Sequence, residues 1–456
     1  MGSFSRWPFL ALLPVALMAA GCADSLPSLP KITDLNPFKE KQVPLPGERI
    51  AIMQTSEKLP GELAVADKPI ALPPEQDNEG WAQPGGVPGN APGHLALAAA
   101  VRQAWSADAG TGSSKSGRVT ATPIVYQGRV FTLDAAGRVS AFSATGGGAS
   151  WRISIVPDKE AAGGSMFSLS SSTPGGGSGG GLAADSGRVY AASGFGNVVA
   201  LDPASGKKLW ERNLGIPLRA APAAASDRVF VIAMDGRFFC LSGIDGSELW
   251  TTRGLPQQAS LVMNVSPAVS GDIVVVPYPS GDLIALKVSD GSAVWSESLS
   301  RTRTVSQLSS LSDAARPAIE GGTVFAVGHA GRMVATQLAS GERLWSINVP
   351  STQTPWVAGG SVFVVDTGGQ LIAVARDNGN IQWTVQLPGG GPWSGPVLAS
   401  GRLWLASAKG ALVSVDAVTG KVLGQQDLGD PVYIPPVVAQ RRMFVMTDKA
   451  RLIALN

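Results

Sequence analysis

The chain has 456 residues, with 36 Lys and Arg against 34 Asp and Glu, a formal net charge of +2. That balance gives no general electrostatic reason to expect nucleic acid as a partner, and no apolar run reaches the roughly 20 residues of a membrane-spanning helix. Only 15% of residues are charged while 56 are Gly and 33 are Pro, which suits many short strands and turns better than a helical protein.

The first element is a secretory signal over residues 1–21, with one charge in "MGSFSRW" and the apolar stretch "PFLALLPVALMAA". Its end, Gly21-Cys22, resembles the lipobox of bacterial lipoproteins, with Ala19 where that pattern usually has Leu. The alternative is an ordinary cleaved signal with a chance Cys. The lipobox resemblance implies lipidation of Cys22. Because Ala23 follows instead of Asp, it also implies a place on the periplasmic side of the outer membrane. Acyl chains would hold a soluble domain there by burying methylenes in the bilayer. Residues 22–95 are Pro-rich and mixed in charge. They are expected to form a mostly extended tether, with one short helix around "PGERIAIMQ". About 70 such residues span on the order of 45 Å if flexible.

From residue 96 onward one pattern repeats. "AFSATGGGASW" at 141, "ALDPASGKKLW" at 200, "CLSGIDGSELW" at 240 and "ALKVSDGSAVW" at 285 share a frame with "ATQLASGERLW" at 335, "AVARDNGNIQW" at 373 and the decayed "SVDAVTGKVLG" at 414. The seventh position is always Gly, at 147, 206, 246, 291, 341, 379 and 420, and the last is Trp in six copies. Each copy reads as a hairpin whose turn needs positive φ, followed by a strand whose Trp covers a neighbouring sheet. A β-rich run such as "DRVFVIA" and a Pro-apolar signal such as "AAPAAA" precede each hairpin, so a unit is a meander of about four strands. Successive turn glycines lie 59, 40, 45, 50, 38 and 41 residues apart, the period of propeller blades. The one long spacing contains "GGSMFSLSSSTPGGGSGGG" at 163–181, expected as an inter-blade loop.

An eighth unit starts at "YIPPVVAQRRMFVMTDKARLIALN", with Ala450 in the turn-glycine place, and lacks its Trp strand. "AAAVRQAWSADAG" carries Trp105 with no blade in front of it. Residues near 100–107 are therefore expected to supply the outer strand of the last blade and close the ring. The expected fold is all-β: an eight-bladed propeller over 96–456, jointed by Trp105, Trp151, Trp210, Trp250, Trp295, Trp345 and Trp383.

Catalytic signals are few. The two histidines are His94 and His329, and Cys240 sits in a slot that Ala fills in other copies, the place of a buried core thiol. No zinc spacing, phosphate-binding loop, haem motif or nucleophile elbow is present. Asp202, Asp245, Asp290 and Asp377 all fall in or beside the repeated turn and are expected to cap it. No cofactor or metal is expected.

The repeat "A-L-D-x-x-x-G-K-x-x-W" resembles that of pyrroloquinoline-quinone-dependent dehydrogenases. In those enzymes it is structural, and the cofactor site depends on an adjacent-cysteine disulfide, a calcium and a catalytic Asp. This chain has only Cys22 and Cys240. Signal, lipobox and eight such repeats together resemble the BamB family, the propeller lipoproteins of the machinery that folds β-barrels into the bacterial outer membrane. "GGGLAADSGRVYAASGFGNVVALDPASGKKLW" is particularly similar to that family's second-blade segment. The resemblance implies a non-enzymatic scaffold docking on the periplasmic domains of the central barrel subunit, with unfolded barrel clients as further partners. By motif, "IPLRAAP" puts Leu218 and Arg219 on a docking loop, and "LSDAARP", offset by one residue, puts Asp313 on a neighbouring one. Leu218 is expected to be exposed beside Arg219, since such pairs suit interfaces; a Leu tucked under the blade is the alternative.

Overall fold

Every blade has the same construction because every repeat has the same hydrogen-bonding problem. In the third, Ala223–Ala225, Arg228–Ile232, Arg237–Ser242 and Glu248–Arg253 form an antiparallel meander, with Ala224 opposite Val229, Phe230 opposite Cys240 and Cys240 opposite Trp250. The middle strands lie between neighbouring blades and are apolar on both sides, whereas the outer strand alternates exposed and half-buried residues. In this computed structural model the described residues are 69–456 apart from 116, 158–178, 219, 255–264, 279, 300–313 and 330. The expected signal, Cys22, the short helix at 46–54, Arg219 and Asp313 lie outside them.

Eight four-stranded sheets of this kind form the propeller, and the described residues include no helix. The ring closes as the sequence requires. Gln103–Asp108 is the outer strand of the blade made by Val437–Ala439, Arg442–Met446 and Arg451–Leu455, with Trp105 opposite Ala454. Ala450 holds the turn at φ 58°. The buried cluster of this blade continues into Val125, Val130 and Phe142 of the first blade, so no seam interrupts the core.

The Trp and Gly of the repeat belong to one joint. Each Trp ring lies over the turn glycine of the next blade: a Cβ at Gly206 would stand 2.6 Å from Trp151, and one at Gly246 2.6 Å from Trp210. These glycines also sit at φ 74° and 73°, so two independent constraints exclude a side chain. The indole then donates across the joint, Trp151 Nε1 to the Pro203 carbonyl at 3.1 Å, Trp210 to Gly243 at 2.9 Å and Trp295 to Leu338 at 2.7 Å. At the closing joint the equivalent Ala144 carbonyl accepts from Arg442 at 3.1 Å, leaving the buried Trp105 Nε1 without a partner. The missing Trp of the seventh blade, where Gly424 stands, also has a reason. The eighth blade pairs its third strand with Gln103–Asp108 instead of making a hairpin, so there is no turn for a ring to cover.

Two expectations are corrected. Gly180 and Gly181 are not loop but open the inner strand Gly180–Asp185, where a Cβ at Gly181 would meet that of Ala221 at 2.5 Å. Residues 69–95 are not an extended tether: they pack across the hub, with Trp81 and Leu95 each only 2% exposed. Apolar side chains and unpaired inner-strand edges at the hub draw this part of the chain in.

The closing blade carries an ionic latch. Asp430, before its inner strand, is 2.9 Å from Lys449 and 2.8 Å from Arg451. Their hydrogen bonds, Lys449 first, hold its carboxyl below the ordinary value of 3.8 against the opposing effect of burial. A depressed carboxylate stabilises the fold above its unfolded-state pKa, and that contribution is lost as pH falls through the folded value. Asp430→Asn is therefore expected to lower the melting temperature near neutral pH and to flatten its decline below about pH 4. Parallel melting curves from neutral to acid pH for parent and variant would reject the latch.

Candidate functional site: the connector face and the hub

The strands run alternately up and down each blade, so the disc has two distinct faces. One carries the connectors from each outer strand to the next inner strand; the other carries the hairpins after the inner strands. Leu218 lies on the connector into the third blade. It bridges Ala233, while Met234 N–H donates to the Pro217 carbonyl at 3.0 Å. Its side chain is fully buried in the apolar cluster that also holds Val231, Ala233 and Phe239. This corrects the expectation of an exposed leucine: the connector needs an apolar footing between two blades, and Leu218 supplies it. The exposed atoms around it come from Pro217 and from Met234, which is 41% exposed. Nearby, Asp235 pairs with Arg237 at 2.8 Å; burial raises its pKa, but the Arg237 hydrogen bonds outweigh that and hold the carboxyl below its usual range.

The connector into the fifth blade is built the same way. Ala314 bridges Gly328 and Ala315 N–H donates to the Val327 carbonyl at 2.9 Å. Ala314 is thus the counterpart of Leu218, and Asp313 immediately precedes it. The structure brings Leu218 and Ala314 to one face, two blades apart.

The repeated carboxylates cap turns. Asp202 Oδ1 accepts from Ser205 N–H at 2.7 Å and its hydroxyl at 2.6 Å, Asp245 from Ser247 and Asp290 from Ser292. These hydrogen bonds hold all three below the usual carboxylate range. In the turn containing Asp377, Asn378 Oδ1 makes the corresponding bond, to Asn380 N–H. Cys240 is buried, and burial pushes its thiol up to about 12, so it is not a thiolate nucleophile. Among the described residues, no three His, Cys, Asp or Glu side chains stand together as a metal site.

The hub holds the residues that sequence reasoning missed. Residues 76–98 run once around it on the hairpin face. Trp81 exchanges two backbone hydrogen bonds with Val125 of the first blade. Gln83 donates to Ala184 and Ala224 carbonyls at 3.1 and 2.7 Å and accepts from Ala224 N–H at 3.0 Å, joining the second and third blades. Val269 and Ile319 N–H groups donate to Pro88 and Gly89, and Asn90 donates to Pro267 and Pro317, joining the fourth and fifth. Trp356 Nε1 reaches Gly93, Leu95 N–H reaches Leu398, and Ala98 N–H reaches Arg441. His94 fits in one tautomer, with Nδ1 donating to the Pro73 carbonyl at 2.7 Å and Nε2 accepting from Gly401 N–H at 2.8 Å. One signal marked this segment: residues 80–101 contain no Lys, Arg, Asp or Glu and begin beside Trp81.

The family model described as outer membrane protein assembly factor BamB matches residues 136–385 and 382–456. The chain belongs to the BamB family. The outer membrane protein assembly factor BamB of Burkholderia pseudomallei is 25% identical over 201 residues, which cover 44% of this chain and 46% of that protein. The alignments with the first curated relatives span less than half of those proteins' length. The crystal structure of BamB from Moraxella catarrhalis superposes with a TM-score of 0.64 at 16% identity, covering 78% of this chain and 99% of that one. The quinohemoprotein alcohol dehydrogenase of Comamonas testosteroni gives the same TM-score at 13% identity, covering 82% and 80%. At such identities both likenesses speak for the fold alone. BamB-family membership rests on the family match, which lies within the blades and does not include residues 76–98.

Proposed function

We propose that the chain is a non-enzymatic scaffold in the assembly of outer-membrane β-barrel proteins. In this reading it is anchored through lipidated Cys22 to the periplasmic side of the outer membrane, with residues 22–68 as the tether. Its connector face docks on the periplasmic domains of the central barrel subunit, through the loops that carry Arg219 and Asp313 and stand on Leu218 and Ala314. Membership of the BamB family is the observation that carries this reading. The dehydrogenase alternative has in its favour the shared fold and a match of 27% identity over 134 residues to a 1-butanol dehydrogenase (quinone), which covers 25% of this chain. The axle of this disc, however, is lined by main-chain groups that its own residues 76–98 occupy. Unfolded barrel proteins are the further partners of this role.

Affinity purification of the full chain from detergent-solubilised envelope is expected to recover the large barrel subunit. Arg219→Ala with Asp313→Ala should reduce that recovery several-fold without lowering the melting temperature, because surface substitutions rarely destabilise by more than about 0.5 kcal/mol. Failure of the parent to recover the subunit would discard the scaffold reading. Unchanged recovery with the double variant would discard these two loops.

A further inference from the structure

In each blade the inner strand has a free edge. Where a two-residue hairpin follows, the residue one step back from the turn is a non-hydrogen-bonded pair with the second strand, so its N–H and C=O point into the hub. One residue in each blade holds this place: Val125, Ala184, Ala224, Val269, Ile319, Val357, Leu398 and Val438. Eight such edges around one axle form a ring of main-chain donors and acceptors, which are costly when buried unpaired.

Residues 76–98 hydrogen-bond to this ring in seven of its eight blades. Val125 is satisfied at both N–H and C=O by Trp81, Ala224 at both by the single carboxamide of Gln83, and Val269 and Ile319 at N–H by Pro88 and Gly89. The Val438 carbonyl accepts from Asn78 Nδ2 at 2.9 Å. Gln83 and Asn90 each span two blades, so they substitute for the inter-blade hydrogen bonds that separate sheets lack. The turn then closes on itself: Gln76 N–H donates to the His94 carbonyl at 2.8 Å and Ala96 N–H to Gln76 at 2.9 Å, a parallel bridge between its two ends. Glycines permit the close approach, since a Cβ at Gly85 would stand 2.3 Å from Asn90 Oδ1 and one at Gly89 3.0 Å from the Ile319 carbonyl.

We infer that the hub is a peptide-binding ring that recognises main chain, and that residues 76–98 are its resident ligand. The ligand class is a Gly- and Pro-rich segment, uncharged from residue 80 onward, that turns at 83–86 and 87–90 and carries carboxamides at the Gln83 and Asn90 positions. This inference stands apart from the scaffold reading and holds whether or not the chain meets a barrel subunit. Its consequence is that the hairpin-face mouth of the hub is closed, so an axial partner is left the connector face.

The test uses the full chain with a protease recognition site placed at the exposed Ala99 and Ala100, between the segment and Gln103–Asp108. After cleavage of the folded protein, the N-terminal fragment is expected to co-elute with the propeller in gel filtration. The amides of Ala224, Val269 and Ile319 should keep their protection from hydrogen exchange. In the same protein carrying Gln83→Ala and Asn90→Ala, the fragment should separate and those amides exchange at least about tenfold faster. Amides of the outer strands should not change. A synthetic peptide of residues 69–98 should restore protection, and the peptide with both alanines should not. Release of the unsubstituted fragment on cleavage would overturn the inference, as would equal retention and protection in the double variant.

Discussion

Trp345→Ala is expected to lower the melting temperature by roughly 4–7 °C. The ring is 7% exposed, lies 6.0 Å from Phe325 in its own blade, and donates Nε1 to the Arg376 carbonyl of the next blade at 2.8 Å. It also covers Gly379, where a Cβ would approach it to 3.0 Å. Truncating a buried Trp costs about 3–5 kcal/mol in transfer and cavity terms. An unfolding entropy of about 2 cal/mol/K per residue over a domain of this size converts that to the stated shift. The adjacent Leu344, 51% exposed on the same outer strand, is the control, since Leu344→Ala should stay within about 0.5 kcal/mol of the parent. Equal melting temperatures for the two variants would mean that the Trp joints do not hold the blades together.

Trp81→Ala should have an effect of similar size with a different distribution. Trp81 is 2% exposed, stacks on Trp356 with ring centroids 6.2 Å apart, and brings its backbone against Val125. Removal of the ring takes away about 3–5 kcal/mol of packing, concentrated where the segment enters the hub. The expected result is cleavage within residues 80–101 by a nonspecific protease at a rate many times that of the parent, with a fall in melting temperature of several degrees. A variant that melts and is cleaved like the parent would show that the ring of hub contacts contributes nothing to stability.

The blades were legible from the sequence because their signal is local. Gly206 needs positive φ in a turn and Trp210 follows four residues later, so hairpin, period and blade count can all be read from neighbouring residues. The composite blade was legible too, since Trp105 has no blade before it and the unit ending at Leu455 has no Trp strand. The second role of each glycine was not legible: Gly246 must also admit Trp210 from the blade before, a contact between residues 36 positions apart. Leu218 shows the same limit at the candidate docking loop. Its motif fixes the loop, but whether its side chain faces solvent or the cleft between blades depends on an apolar cluster drawn from both the second and third blades.

Composition misread the segment from 69 to 95, because Pro, Gly and few charges describe a solvated linker and a close-fitting hub ligand equally well. The sequence by itself determined a wheel of eight wedges and the strand that closes it, since those depend on periodicity. Only the tertiary structure decided what fills the axle. The partners of Gln83 and Asn90 are main-chain groups of four different blades, which leave no residue-type signature and come together only when the ring is complete.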